Sequence, residues 1–221
     1  MQPIESIIPA VSRIPRKLPV QKLELSNKRT RHSRRFIHPD GHFTEEIFLK
    51  PQFYKNSKSR KWEEINNNLE QYDNNPHYYV NTANDFIALF AKNTSNSRLF
   101  TVSKNQFELT LTPLDTNPVL GTVNENTITY SNIYPNIDLR YIVEESSVKE
   151  FLILNTRTKD RFSFQIELKG LKVEQVSGKT VFVDKDGQIQ WFFDDPFMVD
   201  ATGKRSDQIS LSYREENNKW L

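Results

Sequence analysis

The chain contains no cysteine. That absence excludes a disulfide framework, a cysteine-ligated zinc site and a cysteine nucleophile. It leaves the compartment open, because cysteine-free chains occur both inside cells and among secreted proteins. Glycine is scarce, at six residues in 221, and none sits in a P-loop, a dinucleotide-binding turn or a Gly-x-Ser-x-Gly elbow. No run approaches the roughly 18 apolar residues that would span a membrane. Residues 1–20 show no basic region followed by an apolar one, so no signal peptide is visible. No segment sustains a 3.6-residue apolar period; residues 18–25 come nearest and are too short. With a net charge of only +2, the whole molecule is not built as a polyanion binder.

What is present is aromatic: 15 Phe, 8 Tyr and 3 Trp, enough for a core of few, bulky side chains. Charge is distributed unevenly. Residues 1–35 hold nine Lys/Arg against two Glu, and the acidic excess lies in the remainder. Pro3, Pro9, Pro15 and Pro19 block a long helix there. Residues 1–35 therefore read as an irregular basic arm or linker. Lys28, Arg29, Arg31, Arg34 and Arg35 are its candidate contacts for an anionic polymer, with a solvated strand edge as the plainer reading. No aromatic residue interrupts the basic run to stack on bases, so a nucleic-acid partner is not expected.

From Phe36 onward the apolar period is two, which predicts an all-β, antiparallel, sandwich-like fold over residues 36–221, as one unit or as two packed β subdomains divided near 113–121. Ile137, Leu139, Tyr141 and Val143 share one strand face. Phe162, Phe164, Ile166 and Leu168 share another, and Gly170 shifts the apolar phase, predicting a bend. Residues 86–90 and 148–154 are apolar in both phases and read as strands buried on both faces. Asp184-Lys185-Asp186-Gly187 reads as a hairpin turn, and Ile209, Leu211 and Tyr213 as the last clear strand. Asn217 and Asn218 look like a turn entering a further strand at Trp220 and Leu221, an expectation that the chain is cut short.

No catalytic constellation stands out. The adjacent carboxylates Glu45-Glu46, Glu63-Glu64, Glu144-Glu145, Asp194-Asp195 and Glu215-Glu216 point to opposite strand faces and cannot converge on one bond. Asp184, Asp186 and Gly187 match part of a calcium loop, but its later ligands are missing. His38 and His42 flank a Pro39-Asp40-Gly41 turn and form half a zinc site at best. No metal or cofactor is expected, nor enzymatic activity. Exposed aromatics could stack on sugar rings, and Tyr78, Tyr79 and Trp62 are the candidates for such a ligand site.

Several ordered words carry a resemblance. They are Phe43-Thr44-Glu45-Glu46-Ile47 after the Pro-Asp-Gly turn, Lys61-Trp62 before Ile65-Asn66 and Leu69, and Val80-Asn81-Thr82-Ala83-Asn84-Asp85-Phe86. Ile128-Thr129-Tyr130, Tyr134-Pro135-Asn136-Ile137-Asp138-Leu139-Arg140-Tyr141 and Val148-Lys149-Glu150 follow, then Leu168-Lys169-Gly170-Leu171 and Pro196-Phe197-Met198-Val199-Asp200-Ala201-Thr202-Gly203-Lys204. In this order they resemble the N-terminal β-rich module of wall-associated, RHS/YD-repeat secreted proteins of Gram-positive bacteria, relatives of polymorphic toxins found beside DNRLRE-type surface domains. The resemblance implies a non-catalytic structural or adhesive module, secreted or wall-associated. Its partners would be neighbouring domains of a larger polypeptide, which it would position or anchor. A β-sandwich binding cell-wall glycan is the alternative, and a glycan hydrolase with carboxylates from separate strands a more distant one.

Overall fold

The computed structural model describes residues 21–156, 159–213, 215–216 and 219–220. The architecture is all-β and sandwich-like: several antiparallel sheets without a closed barrel, and one short 3-10 turn, Ser26–Lys28, among the described residues. Strands β1 (Leu23–Glu24), β2 (Ser33–Ile37) and β3 (Phe43–Ile47) form a small N-terminal sheet, followed by a ribbon of β4 (Phe53–Lys55) and β5 (Trp62–Glu64). Next come β6 (Asn66–Gln71), β7 (Tyr78–Ala83), β8 (Ile87–Ala91), β9 (Phe100–Lys104) and β10 (Phe107–Pro113). They build a sheet in simple sequential order.

The chain then leaves to make a second sheet of β11 (Gly121–Asn124), β12 (Thr127–Tyr134), β13 (Ile137–Val143) and β14 (Val148–Leu154). It returns as β15 (Phe164–Lys169), which pairs with β10 from Glu108↔Lys169 to Pro113↔Phe164. A three-stranded sheet follows, of β16 (Lys172–Val176), β17 (Lys179–Val183) and β18 (Ile189–Phe192), then a hairpin of β19 (Met198–Val199) and β20 (Arg205–Ser206). Finally β21 (Glu215–Glu216) and β22 (Lys219–Trp220) extend the first sheet to eight strands, with Trp220 opposite Ile166.

The two large sheets face each other across an aromatic core. The period-two face of β13 behaves as its sequence dictates: Ile137, Leu139, Tyr141 and Val143 are all sealed from solvent. The Tyr141 ring packs on Phe90 of β8 and Phe100 of β9 at centroid distances of 5.4 and 5.1 Å. Tyr130 of β12 reaches across the layers and donates its hydroxyl to the Ala91 carbonyl at 2.6 Å. Buried residues from either side of 113–121 belong to this one core. Residues 114–120 therefore connect two layers of a shared interior.

Gly170 lies between β15 and β16 at φ +71°, where a Cβ would meet the Phe107 ring at 3.2 Å. The bend expected there is the point where the chain passes from one sheet to the next. The Asp184 turn is a hairpin, and Asp200 repeats its device. Each Oδ1 accepts from the backbone N–H two and four residues on: Asp186 and Gln188 in one case, Thr202 and Lys204 in the other.

Four sequence expectations need correction. Residues 148–154 are not buried on both faces. β14 is the outer strand of its sheet and leaves Phe151 and Leu154 at 42% and 43% exposure. In residues 86–90, Ile87 is 46% exposed because the outer face of β8 lacks a covering layer there. Residues 207–213 find no ladder partner, so Ile209, Leu211 and Tyr213 form no strand. The basic segment is not irregular up to position 35: β2 runs through that position, and residues 1–20 lie outside the described part.

Candidate functional site

The five basic candidates sit around the N-terminal sheet, and four of them are neutralised internally. Arg29 bonds Glu24 at 2.5 Å, Arg31 bonds Asp85 at 2.7 Å, Arg34 bonds Glu46 at 2.7 Å and Arg35 bonds Glu45 at 3.0 Å. The last two are direct cross-strand partners on opposite faces of the β2–β3 pair. Lys28 stands exposed on the 3-10 turn without an ion-pair partner among the described residues. Local pairing thus consumes most of the charge that made the run look like a polymer contact.

The aromatic candidates do not converge. Tyr78 and Tyr79 are consecutive residues of β7 and turn to opposite faces. The Tyr78 hydroxyl donates to Asn96 at 2.9 Å, the Lys92 ammonium sits 4.9 Å from the Tyr79 ring centre, and both rings pack half-buried against the core. The β6–β7 ladder runs from Asn66↔Ala83 to Gln71↔Tyr79, so Trp62 lies beyond its opposite end. His38 and His42 do face each other across their turn. They stack at 4.0 Å, with His38 bonded to Thr44 and His42 to Asp40, rather than aiming nitrogens at a common point.

The geometry concentrates instead at a cleft of about 320 Å³ beside the consecutive residues Asn66, Asn67 and Asn68, which the sequence reading did not single out. Its floor is a β-bulge. Between Asn66 and Leu69 the β6–β7 register slips, so that β6 carries one extra residue. The cause is local. The Asn66 carboxamide oxygen accepts from the Asn68 N–H at 3.0 Å, an Asx-type turn that competes with the ladder. The Leu69 N–H then donates across to the Glu125 carbonyl at 2.8 Å.

Behind the bulge the Asn67 carboxamide oxygen accepts from Asn84 at 2.9 Å and from Asn81 at 3.4 Å. Asn81 is buried and spends its remaining bonding on the Ala88 N–H and the Phe86 carbonyl. Asn67 lines the cleft, and its NH2 group has no protein acceptor among the described residues.

Glu125 and Asn126, at the tip of the β11–β12 hairpin, form the facing wall. Glu125 holds φ +52°, a left-handed conformation that costs a non-glycine residue on the order of 1 kcal/mol. The tip is riveted in place: Asn126 and Val143 exchange an N–H···O bond at 2.9 Å and a carboxamide bond at 2.8 Å. Glu145, from the β13–β14 turn, also lines the cleft and pairs with Lys50 at 3.4 Å. The wall also includes Gln52, its N–H held by the Arg31 carbonyl at 3.0 Å. That wall is fastened to the sandwich through Asp85, which bonds both Arg31 at 2.7 Å and Lys104 of β9 at 2.8 Å. Burial pushes the Asp85 carboxyl up, but the two cations prevail and hold it below the ordinary carboxylate range.

A second perturbed carboxyl lies at the sheet rim. Glu150 of β14 is directly opposite Tyr141. Dehydration pushes its carboxyl up to about 7, against the pull of the Tyr141 hydroxyl. The two groups lie close enough to perturb each other but outside hydrogen-bonding geometry, and the buried Tyr141 hydroxyl has no partner. Glu150 as a residue remains solvent-exposed. Among the described residues no three His, Asp or Glu side chains gather as a metal cluster would require.

Comparison with known proteins places this arrangement in context. The chain is 28% identical to the tRNA3(Ser)-specific nuclease WapA of Bacillus spizizenii and to the tRNA nuclease WapA of Bacillus subtilis strain 168. Each match covers 89% of this chain and 9% of the relative's length. It is also 25% identical to the "Wall-associated protein" of Geobacillus stearothermophilus, over 80% of this chain and 75% of that protein. No protein-family profile matches the chain, and no solved structure matches it. The similarity to a wall-associated protein agrees with the wall-associated part of the resemblance read from the sequence and fits a cell-surface module. The expectation of a chain without enzymatic activity is overturned, since relatives matching most of it are named tRNA nucleases. The expected lack of a nucleic-acid partner loses its support for the same reason.

Proposed function

We infer that this chain is the wall-associating and positioning region of a larger polypeptide, which it holds at the cell envelope. One observation carries the reading. The Geobacillus protein named for wall association consists largely of the matched region, whereas the nucleases share it over only 9% of their length. Wall association is thus the property for which the relative consisting largely of this region is named. On this reading the polypeptide acts on tRNA as its nuclease relatives do, and this region sets where it acts. The fold suits such a role, because two sheets sharing one aromatic core make a stiff body and the small N-terminal sheet is fastened to it through Asp85.

The test is co-sedimentation of the purified chain with washed cell-wall sacculi from a Gram-positive bacterium. Saturable binding is expected. A chain that stays in the supernatant at all wall concentrations removes the reading, and cleavage of tRNA by this chain alone would move it to the nuclease.

A further inference from the structure

We propose that the cleft between the β6 bulge and the β11–β12 hairpin is a subsite for a neutral sugar of the wall glycan, one bearing hydroxyl and acetamido groups. The proposal rests on the wall-association reading and gives it a site. Three observations lead there. The first is the bonding inventory. Among the residues lining the cleft, the groups left over after internal bonding are the Asn67 NH2, the Asn68 carboxamide, the Gln52 side-chain oxygen and the Glu125 carboxylate. Amide donors opposite a carboxylate acceptor are what an acetamido group, with its C=O and N–H, and vicinal hydroxyls require.

The second observation is charge. Two acidic residues, Glu125 and Glu145, line the cleft, no cationic residue does, and Lys50 is paired to Glu145. That field repels phosphate, so a nucleic-acid backbone is the wrong ligand, and the few apolar lining groups, Pro51 and Ile65, argue against a hydrophobic one. The volume falls at the lower end of the roughly 300–1,000 Å³ typical of ligand clefts. The third is strain. Glu125 is kept in a left-handed conformation that glycine would adopt freely, and hydrogen bonds from Leu69 and Val143 fix the tip around it. A costly conformation held by its surroundings points to a side chain whose placement matters. The bulge opposite is the second irregularity at the same spot.

The experiment is an NMR titration of the full chain with the tetrasaccharide of N-acetylglucosamine, comparing wild type with Glu125→Gln, which keeps shape and exposure. Saturable shifts of the Asn66, Asn67, Asn68 and Asn126 side-chain amides are expected, with affinity about tenfold or more lower in the variant. Absence of saturable shifts at these amides, or equal affinity in E125Q, overturns the site. So do larger, salt-sensitive shifts with a short RNA hairpin at the same amides. Sacculus binding separates the two readings. If both forms sediment equally with walls, wall association stands and this cleft is not its site. If the oligosaccharide shifts the cleft but walls are not bound, the site stands and the wall reading fails.

Discussion

Two tyrosines in the same sheet set up a controlled comparison. Tyr130 and Tyr141 are 0% and 1% exposed on adjacent strands, yet one hydroxyl is bonded and the other is not. Tyr130→Phe deletes the 2.6 Å bond to the Ala91 carbonyl that joins the two layers. A buried carbonyl stripped of its partner costs about 1–2 kcal/mol. In a chain of this size that is a fall of roughly 2–8 °C in Tm. Tyr141→Phe removes no bond. It relieves a buried hydroxyl of an unmet solvation demand, which costs on the order of 1 kcal/mol or more, so the variant should be neutral or slightly more stable. Urea denaturation with a common m-value measures both. Running it at pH 5 and pH 8 brackets the Glu150 carboxyl opposite Tyr141, and the Tyr130→Phe loss should be the same at both. If Tyr141→Phe loses as much as Tyr130→Phe, or if both are silent, the reasoning from hydroxyl satisfaction is wrong.

The carboxyls carry the remaining predictions. Glu150 has a folded-state pKa of about 7, above its unfolded value near 4.3, so the folded state binds the proton more tightly; stability should fall as pH rises through that window, and Glu150→Gln should flatten the slope in Tm against pH. Asp85 is shifted the other way: its contribution is present above about pH 4 and lost as pH falls. Asp85→Asn, leaving Arg31 and Lys104 uncompensated, should cost about 1–2 kcal/mol and speed amide exchange across Ser33–Ile37 more than in the aromatic core. Glu125→Gly should raise stability by about 0.5–1 kcal/mol in a thermal melt, because it relieves the left-handed residue. A loss of stability would show that the Glu125 side chain has structural partners its geometry does not reveal.

The all-β fold was legible because its strongest strands obey a single period: the buried face of β13 is read directly from Ile137, Leu139, Tyr141 and Val143. Where reading failed, the missing information was tertiary. Apolar residues in both phases of β14 looked like double burial, but only the sheet order says that this strand is outermost. Arg31, Arg34 and Arg35 looked like free charge, and their acids lie 54, 12 and 10 residues away. Tyr78 and Tyr79 could have been separated from the sequence alone, because consecutive strand residues turn to opposite faces. The cleft was half visible. Three consecutive asparagines signal competition with a β ladder, but nothing in Asn66, Asn67 and Asn68 foretells that Glu125 and Glu145 will stand opposite.

The excursion of the chain between β10 and β15 sets the order in which the molecule can be completed. Everything from Leu114 to Ser163 must be threaded through the second sheet before Pro113 can meet Phe164. A chain leaving the ribosome therefore holds β6 to β14 with the free side of β10 uncovered until Lys169 has been made. Closing such a loop is entropically modest, but it comes late and is non-local. During that interval the bare edge displays Glu108 and Thr110 with the Arg98 guanidinium drawn over them, and Glu167 joins the group only when β15 arrives. A charged, bonded edge is a poor template for a strand from another molecule. The same polar row that is bonded in the finished sheet would guard the unfinished one.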